Sequence, residues 1–65
     1  MIINPLRHFR RRKRLMAEAE EEVLYLRRRF GAEAHAAALG KLSRSDLTRW
    51  GRQVITEAAR RLKAG

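Results

Sequence analysis

The residues best suited to chemistry are six cations in one short stretch. Between Arg7 and Arg14 the chain reads RHFRRRKR, with five arginines, one lysine and no acid. Guanidinium groups form paired hydrogen bonds with phosphate or carboxylate oxygens, so this pattern is typical of a polyanion-binding site. On a helix these charges repel one another and oppose the positive dipole end, by about 0.3–1 kcal/mol each near the terminus. A bound anion would relieve both penalties; the alternative is a basic tail without a specific partner.

The candidate anion-binding residues comprise this stretch and two arginines predicted on the outer face of a later helix. They are Arg7, Arg10, Arg11, Arg12, Lys13, Arg14, Arg49 and Arg52. Four members recur at the helical spacing i, i+3, i+4, i+7 and are predicted to form one ridge, namely Arg7, Arg10, Arg11 and Arg14. Such a ridge could follow phosphates along one edge of a groove.

Three classes of partner fit these charges. The first class is the DNA or RNA backbone, contacted without base-specific reading. The stretch from Leu39 to Arg52 resembles a helix-turn-helix, but it has little core to support a recognition helix, so base-specific reading is not favoured. An acidic protein surface is the alternative, with the chain as an accessory subunit of a larger complex whose contact supplies missing burial. Peripheral contact with an anionic membrane and a homodimer also remain open. The candidate partner-binding apolar residues are Ile2, Leu6 and Phe9.

Length and composition limit the protein to one small domain. The chain has 65 residues, a net charge of +9 and no cysteine, so disulfides and thiolate metal sites cannot support its core. We expect stability to depend on helix packing, self-association or a partner. A cysteine-free chain without an apolar run of about 20 residues is expected to be cytoplasmic.

Catalytic chemistry is not indicated. His8 and His35 are far apart in sequence, and neither has neighbours at metal-ligand spacing. The hydroxyl residues are explained by capping or surface positions, and the clustered glutamates by a solvated helix face. A chain of this length rarely encloses a pocket that excludes water. We therefore expect a non-catalytic protein that needs no cofactor or metal.

A long first helix must position the basic stretch. Asn4 is a good cap and Pro5 suits the first helical position, while Gly31 is a natural helix end, so a helix is predicted over about 5–30. Its apolar stripe is expected to be Met16, Ala19, Val23, Leu26 and Phe30. We expect residues 1–14 to form a basic arm continuous with this helix and residues 15–65 to form the small helical domain. One helix continuing to Leu42 is the competing interpretation.

Two shorter helices are predicted to fold back on the first. An alanine-rich helix should cover about 32–42, with a thin apolar face formed by Ala34, Ala38 and Leu42 and with Leu39 alongside. Ser43 and Asp46 have capping-box spacing and Ser45 is a second candidate cap, so a third helix is predicted over about 46–63. Its buried stripe is expected to contain Leu47, Trp50, Gly51, Val54, Ala58 and Leu62, flanked by Ile55, with Trp50 as the core anchor. The expected fold is an all-α hairpin or small bundle.

Part of the chain is loosely similar to the helical-hairpin proteins of the large ribosomal subunit near the tunnel exit. The segments are Leu26–Phe30, Gly40-Lys41-Leu42, and a second arginine-bearing helix at Arg49 and Arg52. They cover about half of the chain. The family's Leu-Arg-x-Gln run is replaced here by Gly31-Ala32-Glu33, and the Arg7–Arg14 run has no counterpart there. The similarity therefore implies no function for this chain.

Overall fold

Three α-helices form the fold in the computed structural model. The structure describes the backbone of residues 5–65 and the side chains of residues 10–65. The helices are α1 (Pro5–Phe30), α2 (Ala34–Leu42) and α3 (Arg49–Ala64). There is no β-strand in the described part, so the predicted all-α class is confirmed. Of the candidate residues, Ile2 and the side chains of Leu6, Arg7 and Phe9 lie outside what the structure describes.

A glycine ends α1 where the sequence predicted a break. Gly31 has φ +56°, a left-handed conformation that residues with a Cβ rarely adopt. Gly31–Glu33 then forms one turn of 3-10 helix before α2 begins at Ala34. The second α-helix therefore starts two residues later than predicted. This tight turn directs the chain back along α1.

Two glycines give a matched test of this turn. An added Cβ meets no atom within 4 Å at either Gly31 or Gly40. Replacing either glycine by alanine therefore leaves the packing unchanged and alters only the conformational energy of the backbone. Gly31→Ala should destabilise the fold by about 1–2 kcal/mol because of its positive φ. Gly40→Ala lies in α2 and should stabilise it by about 0.5–1 kcal/mol. Urea unfolding followed by circular dichroism should show shifts of opposite sign, and equal signs would contradict the assigned turn.

The predicted start of the third helix is wrong by about three residues. The Ser43 hydroxyl donates to the Gly40 carbonyl at the end of α2, 2.7 Å away, and Asp46 pairs with Arg44 at 2.8 Å. Neither Ser43 nor Asp46 is therefore used in a capping box. Instead Thr48 caps α3, since its hydroxyl oxygen accepts from the Gly51 amide at 2.9 Å. The loop is held by its own contacts, and α3 begins at Arg49.

The core is small and rich in alanine. Its buried cluster contains Leu26, Ala34, Ala38, Ile55 and Ala59. Leu26 is the one fully buried large side chain among the described residues. Small residues on α2 and α3 let the helix backbones approach closely around it. The three helices therefore pack against one another around Leu26 of α1.

Several predicted core positions lie at the edge instead. Phe30 and Leu39 are exposed. Trp50 and Leu47 are only half-buried, whereas Ile55, predicted as a flank, is buried in the core. The buried face of α3 is wider than the predicted stripe because α3 contacts both α1 and α2. Its buried residues are Val54 and Ala58, as predicted, together with Ile55 and Ala59. Trp50 is therefore not the anchor of the core.

The first and third helices run in the same direction. Trp50, near the start of α3, contacts Glu18, whereas Gly65, after its end, lies beside Arg27. The chain thus goes along α1, returns along α2, and goes forward again along α3. A Lys41–Glu22 ion pair ties α2 to α1, and the Lys41 ammonium lies 5.1 Å from the centroid of the Tyr25 ring. Among the described residues, none of the helices has the length and apolar character needed to cross a bilayer.

Acid should weaken one ion-pair cluster on α3. Arg60 and Arg61 both donate to the Glu57 carboxylate, and these hydrogen bonds, chiefly that from Arg60, hold the pKa of Glu57 below its ordinary value. A lowered carboxyl pKa stabilises the fold above the unfolded-state pKa, and that contribution is lost as pH falls through the folded-state pKa. Glu57→Gln should therefore cost about 0.3–1 kcal/mol at neutral pH and progressively less as the pH is lowered below about 4.

A double-mutant cycle provides the control for Glu57. In an Arg60→Gln/Arg61→Gln background, Glu57→Gln should have a smaller effect with little dependence on pH. Unfolding free energies from urea titrations at neutral and acidic pH measure both effects. An unchanged, pH-independent cost of Glu57→Gln in both backgrounds would mean that the ion pairs contribute nothing to stability.

Candidate polyanion-binding site

Three of the predicted arginines converge on one surface depression with a tryptophan. Arg10, Arg11 and Arg14 line it from α1, and Trp50 lines it from α3. The depression has a volume of about 400 Å³ and is open to solvent. All three arginines are exposed, so their guanidinium groups are available to a ligand. The depression therefore combines positive charge with an aromatic surface.

Local structure explains why these side chains meet. Arg10 and Arg14 are one helical turn apart on α1, and Arg11 is adjacent on the same side. Trp50 is the second residue of α3, whose start is fixed by the Thr48 cap. An added Cβ on Gly51 would lie 3.0 Å from the Thr48 hydroxyl oxygen, so this tight capped turn suits glycine. The cap thus places Trp50 beside the basic part of α1.

Glu18 holds the tryptophan in place. The Trp50 indole Nε1 donates to both carboxylate oxygens of Glu18, each at 3.1 Å. The same carboxylate lies 3.3 Å from Arg14 Nε, and the Arg14 side chain is 80% exposed. Glu18 therefore balances part of one positive charge and fixes the edge of the indole ring. Among the described residues, Arg10 and Arg11 have no such carboxylate partner.

A second depression adjoins the first across Trp50. It is lined by Arg11, Arg12, Leu15, Trp50 and Gln53. Trp50 and Arg11 border both depressions. The Arg11 guanidinium carbon lies 5.8 Å from the centroid of the Trp50 ring, near the outer limit of about 6 Å for a cation–π contact. The Arg11–Trp50 pair is thus the centre of a continuous positively charged and aromatic surface.

The other predicted anion-binding residues lie apart from this pair. Lys13 is exposed, and it is about 160° around the helix from Arg11, so it points to another side of α1. Arg49 is exposed at the first position of α3 and lines neither depression. Arg7 lies outside the described side chains. The structure thus groups four of the eight predicted residues, Arg10, Arg11, Arg12 and Arg14, around Trp50.

Arg52 has a structural role that the sequence did not reveal. Its guanidinium donates to the carbonyl oxygens of Leu42 at 3.0 Å and Arg44 at 3.1 Å. These carbonyls belong to the end of α2 and the following loop, which would otherwise need other hydrogen-bond donors. Arg52 therefore holds the loop that sets the start of α3. It has fewer free donors for an anion than Arg10 or Arg11.

Sequence reasoning missed the association of Trp50 and Glu18 with the basic residues. The Arg14–Glu18 pair has i, i+4 spacing, which was a usable signal. No comparable signal linked Trp50 to Glu18, because the two residues are 32 positions apart. In the described part of the chain there is also no group of three or more potential metal ligands.

Comparisons with known proteins give no relative. No protein-family model, curated protein or solved structure matches the chain.

Proposed function

We propose that this protein is a non-catalytic binding protein that contacts the phosphate backbone of nucleic acid through the Arg10–Arg14 part of α1. The observation that carries the proposal is the convergence of Arg10, Arg11 and Arg14 on one open depression. Glu18 is the acid that contacts this group, and it also accepts from Trp50. A phosphate chain would supply the negative charge that this surface lacks.

The position of the unpaired arginines along α1 supports the proposal. Some basic residues elsewhere have carboxylate partners, as in the Lys41–Glu22 and Arg61–Glu57 pairs. The arginines of the last turn of α1 have no such partner in the described part of the chain, but there the negative end of the helix dipole favours cations. Among the described residues, Arg10, Arg11 and Arg12 have no carboxylate within 4 Å. Uncompensated arginines at the start of α1 destabilise that helix, so their concentration there favours a role in binding.

A protein partner is the second candidate. Leu24, Tyr25 and Leu39 each expose about half of their surface. Together with the small alanine-rich core, these apolar side chains favour an accessory subunit that gains burial in a larger complex. Contact of such a complex with an anionic membrane surface would also use the basic residues. In either case we expect the protein to act in the cytoplasm.

Capture from native lysate with and without nuclease discriminates between these functions. For nucleic-acid binding, co-purifying material should be lost on nuclease treatment. The purified protein should also bind duplex DNA with a log–log salt slope of about −0.9 for each phosphate contact. Prey proteins that survive nuclease, together with salt-insensitive capture, would favour the accessory-subunit function instead.

A further inference from the structure

We infer that the ligand of this surface is single-stranded nucleic acid, with one unpaired base stacked on Trp50 and its flanking phosphates on Arg10, Arg11 and Arg14. This inference rests on the proposed function and specifies the kind of nucleic acid. Backbone contacts alone would bind duplex and single strands by the same charges. An aromatic ring among the arginines adds an interaction that only an unpaired base can use.

The first argument is the orientation of Trp50. Both Glu18 oxygens hold its Nε1 edge at 3.1 Å, so the indole is fixed before any ligand binds. The ring is half-buried and borders two open depressions, so part of its surface is available to solvent. Because the Trp50 ring is already held at its Nε1 edge, it loses little conformational freedom when a base stacks on its accessible surface.

The second argument is the loose contact of Arg11 with the ring. At 5.8 Å from the ring centroid, this contact is weak, and Arg11 is exposed. Its side chain can therefore move from the ring to a phosphate, or stack as a second plane against the bound base. Arg10 and Arg14 lie on the same side of α1, one turn apart, where the phosphates next to that base would lie.

The third argument is the position of Gln53. It lies one turn after Trp50 on α3 and lines the second depression with Arg11 and Arg12. Its amide can donate and accept hydrogen bonds with the exposed edge of a stacked base. One depression would thus hold phosphate and the other the base edge, with Trp50 between them.

Trp50 is the only tryptophan in the chain, so its fluorescence reports directly on this surface. The unmodified full chain is titrated with a thymidine oligonucleotide of about 12 nucleotides, with the matching duplex, and with inorganic polyphosphate of equal charge. We expect the single strand to bind about 5- to 150-fold more tightly than the duplex, and to quench the tryptophan strongly. Polyphosphate should bind without comparable quenching, because it has no bases.

The outcomes separate the two proposals. Equal quenching by polyphosphate and by the single strand, or equal affinity for single strand and duplex, overturns base stacking but leaves backbone binding intact. Binding to none of the three probes overturns the proposed function itself. Strong quenching by the single strand alone supports both.

Two substitutions of Trp50 test the role of the ring. Trp50→Phe keeps an aromatic face but removes the Nε1 donor to Glu18, and should retain part of the preference for single strands. Trp50→Leu keeps apolar volume without a π face and should lose that preference, about 5- to 150-fold in single-strand affinity, with a much smaller change in polyphosphate affinity. Anisotropy of a labelled oligonucleotide measures binding, and circular dichroism checks folding. If Trp50→Leu fails to fold, the titration of the unmodified chain decides the question.

Discussion

Replacing Arg10, Arg11 and Arg14 together by glutamine is expected to weaken DNA binding by about 100- to 500-fold at about 0.1 M salt. Each lost phosphate contact removes about 0.7 from the log–log salt slope on a single strand and about 0.9 on duplex. Three lost contacts should therefore reduce the slope by about 2–3. Glutamine keeps side-chain length and helix propensity, so the change isolates charge. Anisotropy titrations across a range of salt concentrations measure affinity and slope together.

The same variant should fold at least as well as the unmodified chain. It loses the Arg14–Glu18 pair, which is mostly exposed and contributes little. It also loses repulsion among neighbouring cations near the positive end of the α1 dipole. A stability equal to or greater than that of the original protein is therefore expected. This result would show that these arginines were not retained for folding.

A matched control removes three charges from the other end of the fold. Arg28, Arg29 and Lys63 are exposed near the ends of α1 and α3. Changing all three to glutamine alters net charge by the same amount but leaves the Trp50 surface intact. We expect less than about a tenfold loss of affinity, from long-range attraction alone. Equal losses in both triple variants would show that net charge, and not this surface, governs binding.

The bounds of the first helix could be predicted from the sequence because they depend on local chemistry. Pro5 sits at the first position of α1, and Gly31 has the positive φ that ends it. Neither signal needs information from elsewhere in the chain. The paired Glu57 and Arg61 were likewise predictable, since i, i+4 spacing alone brings them together.

The start of α3 was mispredicted because several residues compete for one capping role. Ser43, Ser45 and Thr48 can all cap a helix, and sequence spacing favoured Ser43 with Asp46. The outcome depends on tertiary contacts: Arg52 holds the carbonyls of Leu42 and Arg44, and Arg44 takes Asp46 as its partner. These contacts leave Thr48 to cap α3.

The candidate site was predictable only in part for the same reason. The clustered arginines are visible from charge alone. The aromatic component required knowing where the loop after α2 places Trp50 relative to Glu18. An indole on an apolar stripe is more often a core residue, but here the buried cluster is formed by other residues and Trp50 is only half-buried. The indole Nε1 of Trp50 therefore donates to the Glu18 carboxylate near the surface.

Leu26→Ala is expected to have the largest effect on stability. Leu26 is fully buried and contacts residues of both α2 and α3 in the core cluster. Its truncation should cost about 2–5 kcal/mol, because the cavity cannot collapse onto neighbours that are mostly alanine. A core of this size supplies only about 3–5 kcal/mol of net stability, so much of the variant should be unfolded at room temperature. Urea unfolding followed by far-UV circular dichroism measures the loss.

Leu24→Ala is the matched control. It removes the same atoms as Leu26→Ala, but Leu24 lies two positions earlier on α1 and its side chain is 53% exposed. Its cost should stay within about 0.5 kcal/mol, and a similar cost for both variants would contradict the assigned core.

Leu26→Ala also tests whether binding at the candidate site depends on the fold or on the arginine charges alone. Unfolding the bundle separates Trp50 from Glu18 but leaves every arginine in place. This variant should therefore still bind polyphosphate through its charges while losing the preference for single strands, because only the folded chain presents the ring among the arginines.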